Sequence, residues 1–175
     1  SIESTDTITA PSPIAFQANI SNVKCYGNAS GLVSVTVIGG VPPYTYLWNS
    51  GQTSATVTNI PAGIYAVTIS DANLCNRLAG FTVNQPTAVL VEATPVDTLC
   101  IGQQAQLIAT ASGGYGTYTF AWSNGIINDT LLVAPFTSTT YSLIATDSSG
   151  CKSIADTSDI FVFPPLSISL SGADT

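Results

Sequence analysis

Four cysteines are the residues of this sequence with the clearest chemistry: Cys25, Cys75, Cys100 and Cys151. Thiols of this kind either oxidise to disulfides or bind zinc. A zinc site needs close pairs such as C-x2-C, and no two of these cysteines are close in sequence. The sequence therefore predicts disulfides, which indicate an oxidising compartment outside the cytoplasm.

The cysteines occupy equivalent places in an internal repeat. The interval from Cys25 to Cys75 nearly equals the interval from Cys100 to Cys151. Four cysteines allow three connectivities, and this register selects Cys25–Cys75 and Cys100–Cys151. Closing a loop of about 50 residues is expected to stabilise each repeat by about 4 kcal/mol in the chain-entropy description.

Catalysis and metal binding find little support. The chain has no histidine, which excludes a His-based triad or metal site. A glycosidase needs two carboxylates across a cleft, whereas the acidic residues here are scattered. Asp71 and Asp147 precede the second cysteine of each repeat, where aspartate caps the backbone of a turn. Calcium binding by Asp71 and Asn73 is the alternative, but a D-x-D-x-D run is missing. We predict no catalytic residue, no metal and no cofactor.

Two aromatic rows repeat with the cysteines. Each follows a glycine pair, Gly39-Gly40 or Gly113-Gly114, and ends in the one tryptophan of its repeat. Alternate residues of a strand share a face, so each row suits a central core strand; a sugar-stacking platform is the other interpretation. The predicted core aromatics are Tyr46, Trp48, Tyr65, Phe120, Trp122 and Tyr141.

Composition narrows the class of protein. The net charge is −7, with 3 basic residues against 10 acidic ones, which argues against nucleic acid and anionic membrane surfaces as partners. Charged residues make up 7% and hydrophobic residues 45%, which is not a disordered composition. No apolar run reaches the roughly 18 residues that a membrane helix needs. A charge-poor exterior rich in Thr and Ser suits an extracellular β protein.

Short alternating strands with frequent turns predict an all-β fold of two tandem β-sandwich domains, each with one disulfide. The proposed boundaries are 13–86 and 87–165. Residues 1–12 resemble the closing strand of a preceding repeat and 166–175 the opening strand of a following one; the alternative is that they are terminal strands of a self-contained protein. The predicted strands are 14–20, 32–38, 44–48, 54–58, 64–70 and 78–83, then 88–93, 104–111, 118–122, 130–134, 140–146 and 158–163.

The first repeat resembles the SprB repeats of Bacteroidetes cell-surface adhesins. The resemblance covers about residues 20–90, through segments 23–28, 39–48 and 62–71 together with Cys75 and the Gln85-Pro86 joint. The second repeat is similar to the immunoglobulin-like or PKD-like domains of the same proteins. This resemblance implies a secreted, extracellular cell-surface protein, exported by the gliding-motility type IX system, that serves adhesion or forms a stalk and is not an enzyme.

A short Asp-Thr-aliphatic motif occurs around Thr7, Thr98 and Thr130. It resembles the O-glycosylation sequon of Bacteroidetes, and we predict glycans on these three threonines. A Thr-rich β chain also produces such triplets by accident, so both interpretations stay open.

Three functions compete on the sequence alone. The first is a rigid segment of an adhesin or filament, whose partners are the neighbouring repeats of the same protein. The second is binding of surface polysaccharide or other cells through the aromatics Tyr26, Tyr115 and Phe136. The third is self-assembly, in which the strand at 166–170 completes a neighbour's sheet. Neither nucleic acid binding nor membrane insertion is expected.

Overall fold

The computed structural model describes residues 11–95 and 97–165. Within these ranges every regular element is a β-strand, and thirteen strands are formed. The chain divides into two compact units, with unit 1 ending at Pro86 and unit 2 beginning at Thr87. The all-β prediction is therefore confirmed. The predicted strand at 166–170 and most of the one at 1–12 lie outside the described residues.

Unit 1 is a sandwich of two three-stranded antiparallel sheets, ordered β1-β2-β4 and β3-β5-β6. Buried and more exposed side chains alternate along its strands, because every second side chain is apolar and faces the other sheet. They are β1 (Ala15–Ser21), β2 (Gly31–Ile38), β3 (Thr45–Trp48), β4 (Thr56–Ile60), β5 (Gly63–Ser70) and β6 (Asn76–Val83).

Unit 2 repeats this plan with one additional strand. Its sheets are ordered β11-β9-β7 and β10-β12-β13-β8. Strand β8 pairs parallel with β13 and has no counterpart among the predicted strands. The strands are β7 (Leu90–Ala93), β8 (Asp97–Cys100), β9 (Ala105–Ser112), β10 (Tyr118–Trp122), β11 (Thr130–Val133), β12 (Thr139–Asp147) and β13 (Asp156–Phe163).

Each unit is built around its tryptophan. Trp48 and Trp122 are buried, and each indole Nε1 donates to a backbone carbonyl, that of Ser54 at 2.8 Å or that of Asn128 at 3.0 Å. In unit 1 the Trp48 ring packs on Phe81, with ring centroids 5.9 Å apart. These contacts place the ends of the aromatic rows in the core rather than on a binding surface.

The other predicted core aromatics are buried to different degrees. Tyr65 is buried, and its hydroxyl donates to the Pro61 carbonyl at 2.8 Å, the local bond of a tyrosine corner. Tyr46, Phe120 and Tyr141 are half-buried. Of these, Tyr46 packs against the buried core of unit 1.

The two ends of unit 1 are distinct. The chain enters unit 1 at one end, which we call the upstream end. There, Gly40 N–H donates to the Ser12 carbonyl at 2.9 Å. The chain leaves unit 1 at the opposite end, which we call the downstream end. There, Val23 N–H donates to the Asn84 carbonyl at 2.9 Å. Strand β6 runs from the first end to the second.

Unit 2 has the same polarity. At its upstream end Gly114 N–H donates to the Thr87 carbonyl at 3.1 Å. At its downstream end Cys100 pairs with Phe163, the last residue of β13. Each unit thus receives the chain at one end and releases it at the other.

Candidate functional site

An aspartate at the upstream end of each unit organises the surrounding loops. In unit 1 the Asp71 carboxylate accepts from the backbone N–H groups of Asn73 and Cys75 at 2.9 Å and of Val41 at 3.1 Å. Burial on its own would raise the pKa of Asp71, but the backbone donors of Val41, Cys75 and Asn73 outweigh it and lower the pKa below its usual value. The buried carboxylate therefore ties the glycine-pair turn to the β5–β6 turn.

Unit 2 contains the same device. The Asp147 carboxylate accepts from Cys151 at 2.8 Å, and from Tyr115 and Ser149 at 2.9 Å. Burial opposes ionisation, yet the backbone donors, Cys151 first, lower the pKa of Asp147 below its usual value. Both aspartates are therefore structural anions with their lone pairs occupied by N–H donors. This is the turn-capping role that the sequence predicts for them.

The two aspartate turns differ at one position. Leu74 has a φ of 63° and is 82% exposed, whereas its counterpart Gly150 has a φ of 84°. Only glycine adopts this left-handed backbone without a penalty. Unit 1 therefore carries local strain that unit 2 avoids.

Leu74→Gly is expected to stabilise unit 1 by about 1 kcal/mol. It removes a left-handed penalty of roughly 1–2 kcal/mol, and the larger unfolded-state entropy of glycine offsets part of the gain. Urea denaturation of the two proteins measures the difference. The matched reverse change, Gly150→Leu, should destabilise unit 2 by a similar amount. A loss of stability in Leu74→Gly would contradict the strain assignment.

The cysteines of unit 1 lie at opposite ends of the sandwich. Cys75 immediately precedes β6, in the Asp71 turn at the upstream end. Cys25 lies at the downstream end, in the loop where Val23 bonds Asn84 and where Gly27 N–H donates to Gln85 Oε1 at 2.8 Å. The eight residues of β6 separate the two ends by about 25 Å. A disulfide needs Cα atoms within about 7 Å, so this pair cannot close.

Unit 2 shows the same separation. Cys100 pairs with Phe163 at the downstream end of β13, whereas Cys151 lies in the Asp147 turn upstream of that strand. Strand β13 also has eight residues, so about 25 Å again separates the two cysteines.

The predicted disulfides Cys25–Cys75 and Cys100–Cys151 are therefore wrong. Cys75 and Cys100 are exposed free thiols, whereas Cys25 and Cys151 are disulfide-bonded. The repeat register correctly placed equivalent cysteines at equivalent ends, but equivalence in sequence did not mean pairing within a repeat.

The three aromatics proposed to bind sugars are exposed but dispersed. Phe136 is 76% exposed, Tyr26 58% and Tyr115 48%. Tyr26 is in the downstream loop of unit 1. Within unit 2, Tyr115 bonds the Asp147 turn at the upstream end, whereas Phe136 precedes the downstream start of β12. Tyr115 and Phe136 therefore do not form one stacking platform.

Two of the three candidate glycosylation sites lie within the described residues. Thr98 is exposed on the outer strand β8, and Thr130 is half-buried at the start of the outer strand β11. Thr7 lies outside the described residues. A glycan on Thr98 needs no displacement of the core, so the glycosylation proposal stands as made.

The surface depressions of unit 2 are shallow and open. One, of about 270 Å³, lies beside Tyr118, Phe120 and Asp129. In the described ranges no cluster of three or more Cys, Asp or Glu side chains is placed to hold a metal ion. Across residues 11–95 and 97–165 no helix has the length and apolarity to cross a membrane.

Comparison with known proteins identifies a family for part of unit 1. Residues 17–53 match the SprB repeat family. This segment includes Cys25, the glycine pair and the first aromatic row. No curated protein matches the chain.

Solved structures give the fold. The three N-terminal domains of the bacteriophage RB49 highly immunogenic outer capsid protein (Hoc) are 19% identical with a TM-score of 0.51, over 87% of this chain and 59% of that one. Fibronectin(III)-like modules of Clostridium thermocellum CbhA are 15% identical over 90% and 100%, with a TM-score of 0.40. A three-immunoglobulin-domain titin fragment is 13% identical over 89% and 68%, with a TM-score of 0.48.

Each unit is therefore an all-β sandwich, as the sequence predicts. The chain spans 59% of the Hoc fragment, so the likeness bears on the fold alone. Together, the SprB match over residues 17–53 and the all-β fold support a structural repeat segment of a cell-surface protein.

Proposed function

We propose that this chain is a structural and adhesive repeat segment of a large secreted bacterial cell-surface protein, as part of an adhesin stalk or an extracellular filament. The observation that carries the proposal is the polarity of the units. Each takes in the chain at its aspartate turn and releases it at the opposite end, as the contacts of Ser12, Asn84 and Thr87 define. Units with this polarity extend a chain by simple succession, which is what a stalk requires.

Three further properties support the proposal. The match of residues 17–53 to the SprB repeat family supports a cell-surface role. Ionised side chains are few, so salt should affect interactions of the surface little. Cys25 and Cys151 are disulfide-bonded, which fits export to an oxidising compartment.

Polysaccharide binding is the less favoured candidate. A sugar-binding face needs aromatic rings gathered on one surface, and Tyr115 and Phe136 lie at opposite ends of unit 2. Strand addition by residues 166–170 remains a proposal about a segment outside the described residues.

An antiserum against the purified chain tests the proposal on the native protein. We expect it to label intact cells of the source bacterium and to detect a polypeptide much larger than the 18.0 kDa of this segment. Pre-absorption with the purified chain should abolish the label. Label that appears only after the cells are lysed would overturn the surface assignment, and a single band near 18 kDa would overturn the assignment to a large repeat protein.

Binding by the segment itself separates a stalk from a lectin. The purified chain and its Tyr115→Ala variant are compared on an immobilised glycan array. We expect the variant to bind no less than the parent chain. Phe136→Ala serves as the matched control at the other end of unit 2. Binding that is lost on Tyr115→Ala and kept on Phe136→Ala would establish a sugar site at the upstream end.

A further inference from the structure

Asp129 in unit 2 contributes to the fold through its main chain. Ala109 N–H donates to the Asp129 carbonyl at 2.7 Å, one residue after the Asn128 carbonyl that accepts from Trp122 Nε1 at 3.0 Å. The Asp129 side chain is exposed. Within the part of the chain that the structure describes, no group donates a hydrogen bond to its carboxylate.

Unit 1 builds the same corner with an alanine. Val35 N–H donates to the Ala55 carbonyl at 2.9 Å, one residue after the Ser54 carbonyl that accepts from Trp48 Nε1 at 2.8 Å. Ala55 therefore takes the place that Asp129 has in unit 2. The fold does not need a carboxylate at this position, so the Asp129 side chain is available to a ligand.

The carboxylate lies at a depression on the side of the sandwich. Strands β10 and β11 are the outer strands of the two sheets of unit 2, and one loop joins them. This loop folds back on β10 through a bridge between Ala121 and Ile127. Tyr118, Phe120 and Asp129 together line the resulting depression of about 270 Å³.

Two aromatic rings form the apolar wall of the depression. Tyr118 and Phe120 are half-buried, and their ring centroids are 6.4 Å apart. The face of such a ring attracts a cation that comes within about 6 Å of the centroid. Lysine and arginine also pack their methylene chains on apolar surface while the charged end stays outside. An aromatic wall beside an unpaired carboxylate therefore suits a cationic side chain.

The negative charge of the described chain is concentrated in unit 2. Residues 11–86 contain more basic than acidic residues, namely Lys24 and Arg77 against Asp71. Residues 87–95 and 97–165 contain one basic residue, Lys152, and the acidic residues Glu92, Asp97, Asp129, Asp147, Asp156 and Asp159. The electrostatic field of unit 2 thus favours a cationic partner.

We propose that this depression binds a lysine or arginine side chain that a partner protein presents. Asp129 pairs with the cation, and Tyr118 and Phe120 pack against its methylene chain. The depression is shallow, so a presented side chain fits it better than a free small molecule, because the main chain of the partner covers the opening. The inference goes beyond the proposed function, since it gives the adhesive segment a partner of defined chemistry.

A lysine peptide with blocked ends, acetyl-Gly-Gly-Lys-Gly-Gly-amide, tests the site by NMR titration of the complete chain. We expect chemical-shift changes at the amides of Phe120, Ile127 and Asp129, and weaker binding as salt is raised. Asp129→Ala should weaken binding about fivefold, as an exposed charge pair beside aromatic rings implies. The variant should fold like the parent chain, because Ala55 holds the same place in unit 1.

Glu92→Ala is the matched control for charge. Glu92 is exposed on β7, at the opposite edge of the sheet from β11, so this variant removes one negative charge without altering the depression. It should bind the peptide as the parent chain does. Equal weakening in Asp129→Ala and Glu92→Ala would indicate general attraction to an acidic unit and would overturn the site.

Two further arms test the aromatic wall and the class of ligand. Phe120→Leu keeps an apolar side chain but removes the ring, and it should weaken binding about threefold; the indole N–H resonance of Trp122 verifies that unit 2 is folded. A peptide with norleucine in place of lysine should not bind. Equal binding of the norleucine peptide, or a response to neutral cellotetraose without one to the lysine peptide, would overturn the proposal.

The outcome is separable from the proposed function. Surface labelling by the antiserum does not depend on Asp129. A large surface protein whose segment ignores the lysine peptide would retain the stalk assignment and remove this site. An intracellular protein that binds the peptide through Asp129 would retain the site and remove the stalk assignment.

Discussion

Gly113→Ala is expected to unfold unit 2 at denaturant concentrations that leave the parent chain folded. The alanine Cβ would lie in severe overlap with the Ala88 carbonyl oxygen and 2.9 Å from its carbon, at a φ of 78°. The left-handed backbone costs roughly 1–2 kcal/mol. Displacing a neighbouring backbone segment adds about 1–3 kcal/mol, as in an overpacked core. A loss of about 2–5 kcal/mol is a large part of the stability of a small domain.

Gly125→Ala is the matched control. Gly125 has a φ of 86° and nothing within 4 Å of its would-be Cβ, so it carries the backbone penalty without the collision. The difference between the two variants in urea denaturation measures the close approach of Ala88. An equal loss of stability in Gly113→Ala and Gly125→Ala would show that Gly113 is needed only for its backbone conformation.

The same glycines show how far sequence reasoning reaches. The repeated pairs predict turns that feed the aromatic strands, and the structure has them there. The close approach behind the glycines could not be predicted from propensity. Gly40 faces the side chains of Ile14 and Asp71, and Gly114 faces Val89 and Asp147. These contacts join residues far apart in sequence, so only the folded chain shows why a Cβ is excluded.

The failure over the disulfides has a different cause. Spacing in sequence identifies equivalent residues, but it does not say on which end of a sandwich each one lies. Cys25 precedes β2 and Cys75 follows β5, and both strands run toward the upstream end. The cysteines also flank strands, in loops that hold Val23 and Asp71, whereas an inter-sheet disulfide needs residues within facing strands. The location of Cys25 and Cys75 outside the strands could have been predicted from the sequence.

Strand β8 shows a limit of pattern recognition. Its four residues, Asp97–Cys100, are too few to display an alternation, and aspartate is depleted in strands. It forms because β13 offers an unpaired outer edge and Leu99 is buried. Tertiary pairing thus created a strand that local preference does not favour.

Trp48→Ala is expected to unfold unit 1 while unit 2 remains folded. Trp48 is buried, packs on Phe81 and donates to the Ser54 carbonyl, and replacing a buried tryptophan by alanine costs about 3–5 kcal/mol. The chain has two tryptophans, one in each unit. The indole N–H resonance of Trp122 therefore reports on unit 2 alone, and it should keep its folded chemical shift in Trp48→Ala.

Trp48→Phe separates the volume of the ring from its hydrogen bond. Phenylalanine retains most of the contact with Phe81 but leaves the Ser54 carbonyl without its donor, and a lost buried hydrogen bond costs about 1–3 kcal/mol. Trp48→Phe should therefore lower the stability of unit 1 by less than Trp48→Ala does. The reciprocal variant, Trp122→Ala, should preserve the Trp48 resonance and unfold unit 2. Loss of both units in either variant would show that neither sandwich folds without the other, which a stalk of successive independent repeats does not allow.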